Sequence, residues 1–502
     1  MKTMTRRMFM AASSAALAAA AMPRKAFALD GYSPGKQLSK IDGLELLNLW
    51  GEQPELVQNL YKLIDSILSA DKEATYADVS RDETVQQFCK DHNVLHLGGP
   101  MLGCITETSA KVWVRTVRPA RVEVRVTIDG SDTSYGPVLS TEESDLVSIV
   151  PVTGLKPGIS YPYKVLVDGT PIPMPEHAAV STVPHTNRLR LAFGTCPHRW
   201  GLGNQRQADL IRSRKPSALL MYGDIAVQDK NNHLGKHRSD YQVRDLYPAW
   251  QSLSSTIPVY ATWDDHDYFD NDKSGIPRWY TNADRLGVRR AFSQAWNNPS
   301  YGFNDERGGV FLRTRFGPCD VIMLDNRYFR TGEERGFLGN DQTEWLKKQL
   351  LDCKGPFIVI SCGTMWTDHI SDGKDSWGKY DPQGREQLFR FIEDNQIPGV
   401  LLLSGDRHGA CGFRIPRPSG HTFYEFEAAS LGGRSGPARK AEGHPNALYA
   451  ISREYAFGEF TFDATLDDPE VTFRLIHEEG TTLYEHILKR SELTPPAQKS
   501  SE

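Results

Sequence analysis

Five apolar runs from residue 189 onward each end in residues that can hold a cation or an anion. Residues 189–193 lead through Gly194-Thr195 to Cys196, and residues 218–222 lead through Gly223 to Asp224. Residues 258–262 lead to Trp263-Asp264-Asp265-His266-Asp267, and residues 320–324 to Asp325-Asn326-Arg327. Residues 400–404 lead to Gly405-Asp406-Arg407-His408. Carboxylates suit oxygen-loving cations, whereas a thiolate with an imidazole suits a transition metal. A buried strand needs no acid at its end, and desolvating several is costly unless they are paired or bound to metal. The set therefore points to a metal centre assembled from strand ends.

The elements that must position these residues read as an α/β unit. Apolar strands alternate with helical stretches over 204–214, 342–351 and 385–395, and open α/β sheets build sites where strand C-termini converge. Upstream, 111–116, 121–126 and 161–167 alternate with period two around turn residues, which predicts a small all-β sandwich over 97–184. Residues 29–96 read as mostly helical, with Pro54 in a first turn and Leu56, Leu60, Leu63 and Ile67 on one face. The catalytic unit is expected over 188–480 and a C-terminal tail over 481–502. His233 and His237 fall on expected loops and are read as solvated.

In order and spacing, Gly-Thr-Cys, Gly-Asp, Trp-Asp-Asp-His-Asp, Leu-Asp-x-Arg and Ser-Gly-Asp-Arg-His resemble the PhoD-like alkaline phosphatases of the calcineurin-like metallophosphoesterase superfamily. The resemblance runs from 97 to about 480 and takes in Phe337-Leu338-Gly339, Gln342, Trp345-Leu346 and Trp377. It implies a metallophosphoesterase-type β-sandwich core flanked by helices, preceded by an immunoglobulin/fibronectin-like all-β domain. It also implies a phosphoric ester hydrolase in which a metal-bound hydroxide attacks phosphorus. Cys196, Asp224, Asp265, Asp406 and His408 would be metal ligands, with Asp224 bridging. His266 would protonate the leaving group and Asp267 would orient His266. Arg327 would take charge on the phosphoryl oxygens or else pair with Asp325; His198 and Arg199 are further candidates for that contact.

The implied cofactors are calcium and iron, and carboxylates at 265 and 406 with a thiolate at 196 argue for unlike metals. The family commonly carries tyrosine three residues after the bridging aspartate. Here Val227 stands there, and valine cannot supply a phenolate to iron. Alternatives are a phosphodiesterase or phospholipase-D-like hydrolase of lipid headgroups, or a phosphate-binding protein without catalysis.

The 502-residue chain carries a net charge of −5. Five cations and no acid lie in the first 28 residues, so the remainder carries −10. An acidic protein makes a poor partner for nucleic acid, whose binding needs clustered cations. Residues 1–28 combine Arg6-Arg7-Met8-Phe9, an Ala-rich apolar stretch and Ala26-Phe27-Ala28, and read as a twin-arginine signal peptide. That implies the twin-arginine export machinery as partner and a periplasmic or secreted protein. The apolar stretch spans 15 residues, short of the roughly 20 a membrane span needs. The seven cysteines contain no C-x-x-C pair, so neither a zinc ribbon nor a regular disulfide framework is expected.

Overall fold

A computed structural model describes residues 38, 40–330, 336–369, 376–428, 430–438 and 440–497. The expected signal peptide, 1–28, lies outside the described residues.

Two sheets carry the strand ends of interest. In the first, Arg188–Gly194 pairs in parallel with Ala218–Tyr222, which pairs in parallel with Val259–Thr262. Antiparallel strands Ala456–Asp463, Glu470–His477 and Thr482–Lys489 complete its six strands. The second has seven strands in the order Leu312–Phe316, Cys319–Met323, Phe357–Ser361, Val400–Leu403, Thr422–Glu427, Ala410–Pro416 and Ala447–Ile451. Its second to fifth strands run parallel.

Alternation along these strands builds the layers. Leu191, Phe193, Leu220 and Tyr222 share one apolar cluster with Val321, Met323, Val359 and Leu401, so the sheets pack face to face. The alternate residues Ala192, Leu219 and Met221 pack on helices instead. Ile322, Ile358, Ile360 and Leu402 do the same against Leu346, Leu350, Leu388 and Ile392. Burial on both faces is why the parallel strands read as unbroken apolar runs. The result is a mixed α/β fold, two sheets between outer helices.

Residues 96–181 form two antiparallel sheets. One contains His96–Gly103, Ala110–Thr116 and Val147–Val152; the other is built on Arg121–Ile128 and Ser160–Val167. Their core is continuous with that of the larger sheets. Asn297 Nδ2 donates to Met101 O (3.0 Å) and Lys111 O (2.9 Å), tying the two parts together.

Three expectations are corrected. The presumed tail from 481 begins as a strand, Thr482–Lys489, paired along its length with Glu470–His477. Helix Glu55–Leu68 forms with Pro54 as its N-cap, but Leu60, Tyr61, Ile64 and Leu68 are its buried residues, while Leu56, Leu63 and Ile67 are half-buried. His237 is not solvated; it is buried in helix Leu234–Leu246, with Nε2 2.8 Å from Asn231 O. That helix lacks an apolar stripe because its charges are paired internally, Arg238 with Asp145, Arg244 with Asp245 and Asp240 with Arg199. All seven cysteines are free thiols.

Candidate metal centre

The C-terminal ends of the parallel strands from both sheets meet, and glycines permit the approach. A Cβ on Gly405 would lie 2.6 Å from Thr195 Oγ1 and 2.7 Å from Gly363 O; one on Gly223 would lie 2.7 Å from Asp264 Cβ. Backbone bonds lock the turns together. Cys196 N donates to Gly223 O (3.0 Å) and His198 N to Asp224 O (2.7 Å). Four residues of the junction, Cys196, Asp224, Asp406 and His408, hold left-handed backbone at φ of 53°, 53°, 77° and 63°. Such conformations cost about 1–3 kcal/mol each and persist where the surroundings over-determine them, typically at functional sites.

The side chains converge accordingly. Ligand-capable atoms of Cys196, Asp224 and His408 lie within 4.8 Å of one another. The same holds for Asp224, Asp265 and His266, and for Asp224, Asp264, Asp265 and Asp406. Asp224 is common to all three groups. Every ligand expected from the sequence is thus in one cluster, and Asp264 joins them.

Electrostatics make the cluster a cation site in waiting. Burial, with Asp265, Asp264 and Asp267 nearby, pushes the Asp224 carboxyl well up, against the opposing influence of His266. Burial and Asp224 push the Cys196 thiol up. Burial, then Arg434 and the other imidazoles, keeps His408 neutral with its pKa well below the usual range. Asp224 Oδ1 and His408 Nε2 are buried without a hydrogen-bond partner. Crowded acids with an unused carboxylate oxygen and imidazole nitrogen are the donor set that a metal ion would satisfy. The residues therefore fit bound metal ions.

His266 is set up as a proton carrier, but not by Asp267. Its Nδ1 donates to Asp229 Oδ1 at 2.6 Å, leaving Nε2 as the nitrogen available to a ligand. Burial alone would lower its pKa, but Asp224, the Asp229 hydrogen bond and Asp265 outweigh it and raise it to about 10. Asp267 instead accepts from the backbone N–H groups of Ile225, Ala226 and Val227 at 2.8–3.1 Å, and so shapes the turn after Asp224. Adjacency in sequence cannot distinguish these jobs, because Asp267 faces the turn after Asp224 rather than the imidazole.

Arg327 is also corrected. Its guanidinium is fully buried, with Nε on Asp264 Oδ1 and Nη2 3.7 Å from Asp265 Oδ1. Only its backbone N–H reaches Asp325 (3.0 Å), whose carboxylate also takes Trp263 Nε1 and Val310 N. Its charge therefore steadies the acids of the cluster. Arg199 lies away on Asp240 and Ile41 O. His198 does face the cluster: its ring is 5.3 Å from His266 and 5.5 Å from His408, and Nε2 has no hydrogen-bond partner. Sequence reasoning missed Asp229, and Asn326, which donates to Asp264 Oδ1 at 2.7 Å.

A family model for PhoD-like phosphatases matches residues 221–473. A second, for a domain of unknown function (DUF7800), matches residues 93–185. Alkaline phosphatase D of Bacillus subtilis (strain 168) is 23% identical over 216 residues, covering 37% of this chain and 36% of that protein. The chain thus matches only about a third of that relative's length. A solved structure of PhoD is similar at a TM-score of 0.65 and 16% identity, covering 81% of this chain and 92% of that one. A purple acid phosphatase from yellow lupin (Lupinus luteus) seeds is similar at 0.55 and 12%, covering 80% and 77%.

Proposed function

Because the chain belongs to the PhoD-like phosphatase family, we propose that its strand-end cluster binds metal ions and that the protein is a phosphoric ester hydrolase of the alkaline phosphatase D kind. The observation that carries this reading is the sharing of Asp224 by a thiol–imidazole group and an all-carboxylate group. Cys196, Asp224 and His408 would hold a transition metal, for which iron is proposed. Asp224, Asp265 and Asp406, with Asp264 beside them, would hold a harder ion such as calcium. Val227 is buried and offers no ligand atom, so the softer site relies on Cys196. Bound metal ions would lower the pKa of water and clamp the attacking and leaving oxygens.

The chain's own residues supply the rest. His266, with Nδ1 fixed by Asp229, gives a proton from Nε2 to the departing oxygen. His198 keeps Nδ1 on Gln228 Oε1 at 2.6 Å and stacks on Trp200, which leaves Nε2 of its neutral ring facing the cluster as an acceptor. Arg327 and Asn326 hold Asp264 in place between the sheets.

The finer proposals are export through the twin-arginine pathway, which rests on residues 1–28, and an immunoglobulin/fibronectin-like fold for 97–184. No helix of the described residues is long and apolar enough to cross a membrane. The test is phosphate release from p-nitrophenyl phosphate and p-nitrophenol release from its bis ester by metal-loaded protein. Turnover of either supports the proposal; turnover of neither at neutral and alkaline pH overturns it.

A further inference from the structure

The loop Ser430–Ala438 is absorbed by neither the ligand set nor the mechanism, yet it touches both sides of the centre. Ser430 Oγ donates to Cys196 O (2.9 Å) and accepts from Gly433 N (3.0 Å). Arg434 N also donates to Cys196 O (3.3 Å), and two residues on Gly436 N donates to His408 O (2.7 Å). A Cβ on Gly433 would lie 1.8 Å from Pro197 O, so only glycine lets the loop sit this close to the Cys196 turn. Arg434 is therefore hung between the turns that carry the thiol and the imidazole. Its charge reaches both His198 and His408, contributing to their lowered pKa values after burial.

What sets Arg434 apart is its lack of an acid. Arg327 is spent on Asp264, Arg407 on Asp406 and Arg199 on Asp240. Among the described residues, no carboxylate pairs with the half-buried Arg434. A guanidinium whose charge reaches two imidazoles of the centre but pairs with no acid is matched to an anion that arrives from outside. Its planar fork suits two oxygens of one phosphoryl group. A monoester keeps three non-bridging oxygens and a second negative charge, whereas a diester keeps two and one.

We propose that Arg434 is the substrate-binding residue for the terminal phosphoryl group, and that it biases the centre toward phosphomonoesters over diesters. The bias rests on the hydrolase reading above, whereas phosphate binding by Arg434 does not. The experiment therefore measures inorganic phosphate binding to metal-loaded wild type, Arg434→Gln and Arg434→Lys by calorimetry, with metal content and thermal unfolding alongside. Arg434→Gln should weaken phosphate binding roughly 10- to 100-fold, the loss of a charge-assisted contact. Arg434→Lys should recover part of it, and both should keep wild-type metal content and melting temperature. In steady-state assays Arg434→Gln should lose more kcat/KM on p-nitrophenyl phosphate than on the bis ester.

Wild-type phosphate affinity in Arg434→Gln, or no phosphate binding by wild type, would overturn the proposal. So would a loss of metal in both variants, because the residue would then be holding the ligand turns. An equal loss on both esters would overturn the monoester bias. Arg434-dependent phosphate binding by a protein that cleaves neither ester would sustain Arg434 as the anion contact while removing the hydrolase reading.

Discussion

Replacing Asp229 by asparagine tests how the centre delivers a proton. The substitution keeps the shape and removes the charge that faces His266 Nδ1 at 2.6 Å. A hydrogen bond to a charged group is worth about 1.5–3 kcal/mol, which is roughly a 10- to 100-fold change in an equilibrium or rate. Asp229 favours the protonated imidazole, so its loss lowers the His266 pKa. An acid must be protonated to act, so the alkaline limb of kcat should move to lower pH by about one to two units. The assay is the pH profile of kcat on an alkyl phosphate and on p-nitrophenyl phosphate. The alkoxide leaving group needs the proton more, so Asp229→Asn should lose about 10- to 100-fold on the alkyl ester and much less on the aryl ester. Equal losses on the two, or an unmoved alkaline limb, would refute the assignment of proton delivery to this pair.

Asp267→Asn should behave differently, because its carboxylate serves three backbone N–H groups rather than the imidazole. It should destabilise the fold by about 2–3 kcal/mol in denaturant titration while leaving the shape of the pH profile unchanged. Asp224→Asn should lose activity and metal together by assay and elemental analysis, and full activity in that variant would remove the bridging role. Cys196→Ser should shed the transition metal yet retain the oxygen-liganded ion and a native circular dichroism spectrum; unchanged transition-metal stoichiometry would contradict thiolate ligation.

The metal cluster was legible because chemistry sits at strand ends. Runs such as 218–222 and 400–404 are apolar on both faces, so their boundaries are sharp, and the acids follow at once. The supporting contacts were not legible, because they cross between elements. Asp229 lies five residues beyond Asp224, in a turn with no periodic signal, and reaches His266 from another strand end. Arg327 gave no sign of its partner: Asp325 was adjacent in sequence, while Asp264, 63 residues away, took the guanidinium. Helix Leu234–Leu246 was invisible to amphipathicity because its buried charges are neutralised by one another and by distant residues. Strand Thr482–Lys489 read as a tail because an edge strand with alternating exposed residues carries little apolar pattern.

The central claim is that the ends of two sheets bring a thiol, an imidazole and several carboxylates together around cations. Anomalous diffraction from crystals of natively purified protein, collected at the absorption edges of its metals, tests it directly. The account predicts two peaks bridged by Asp224, one contacted by Cys196 and His408 and the other by Asp265 and Asp406. Metal bound elsewhere, or no peak at Asp224, would contradict it.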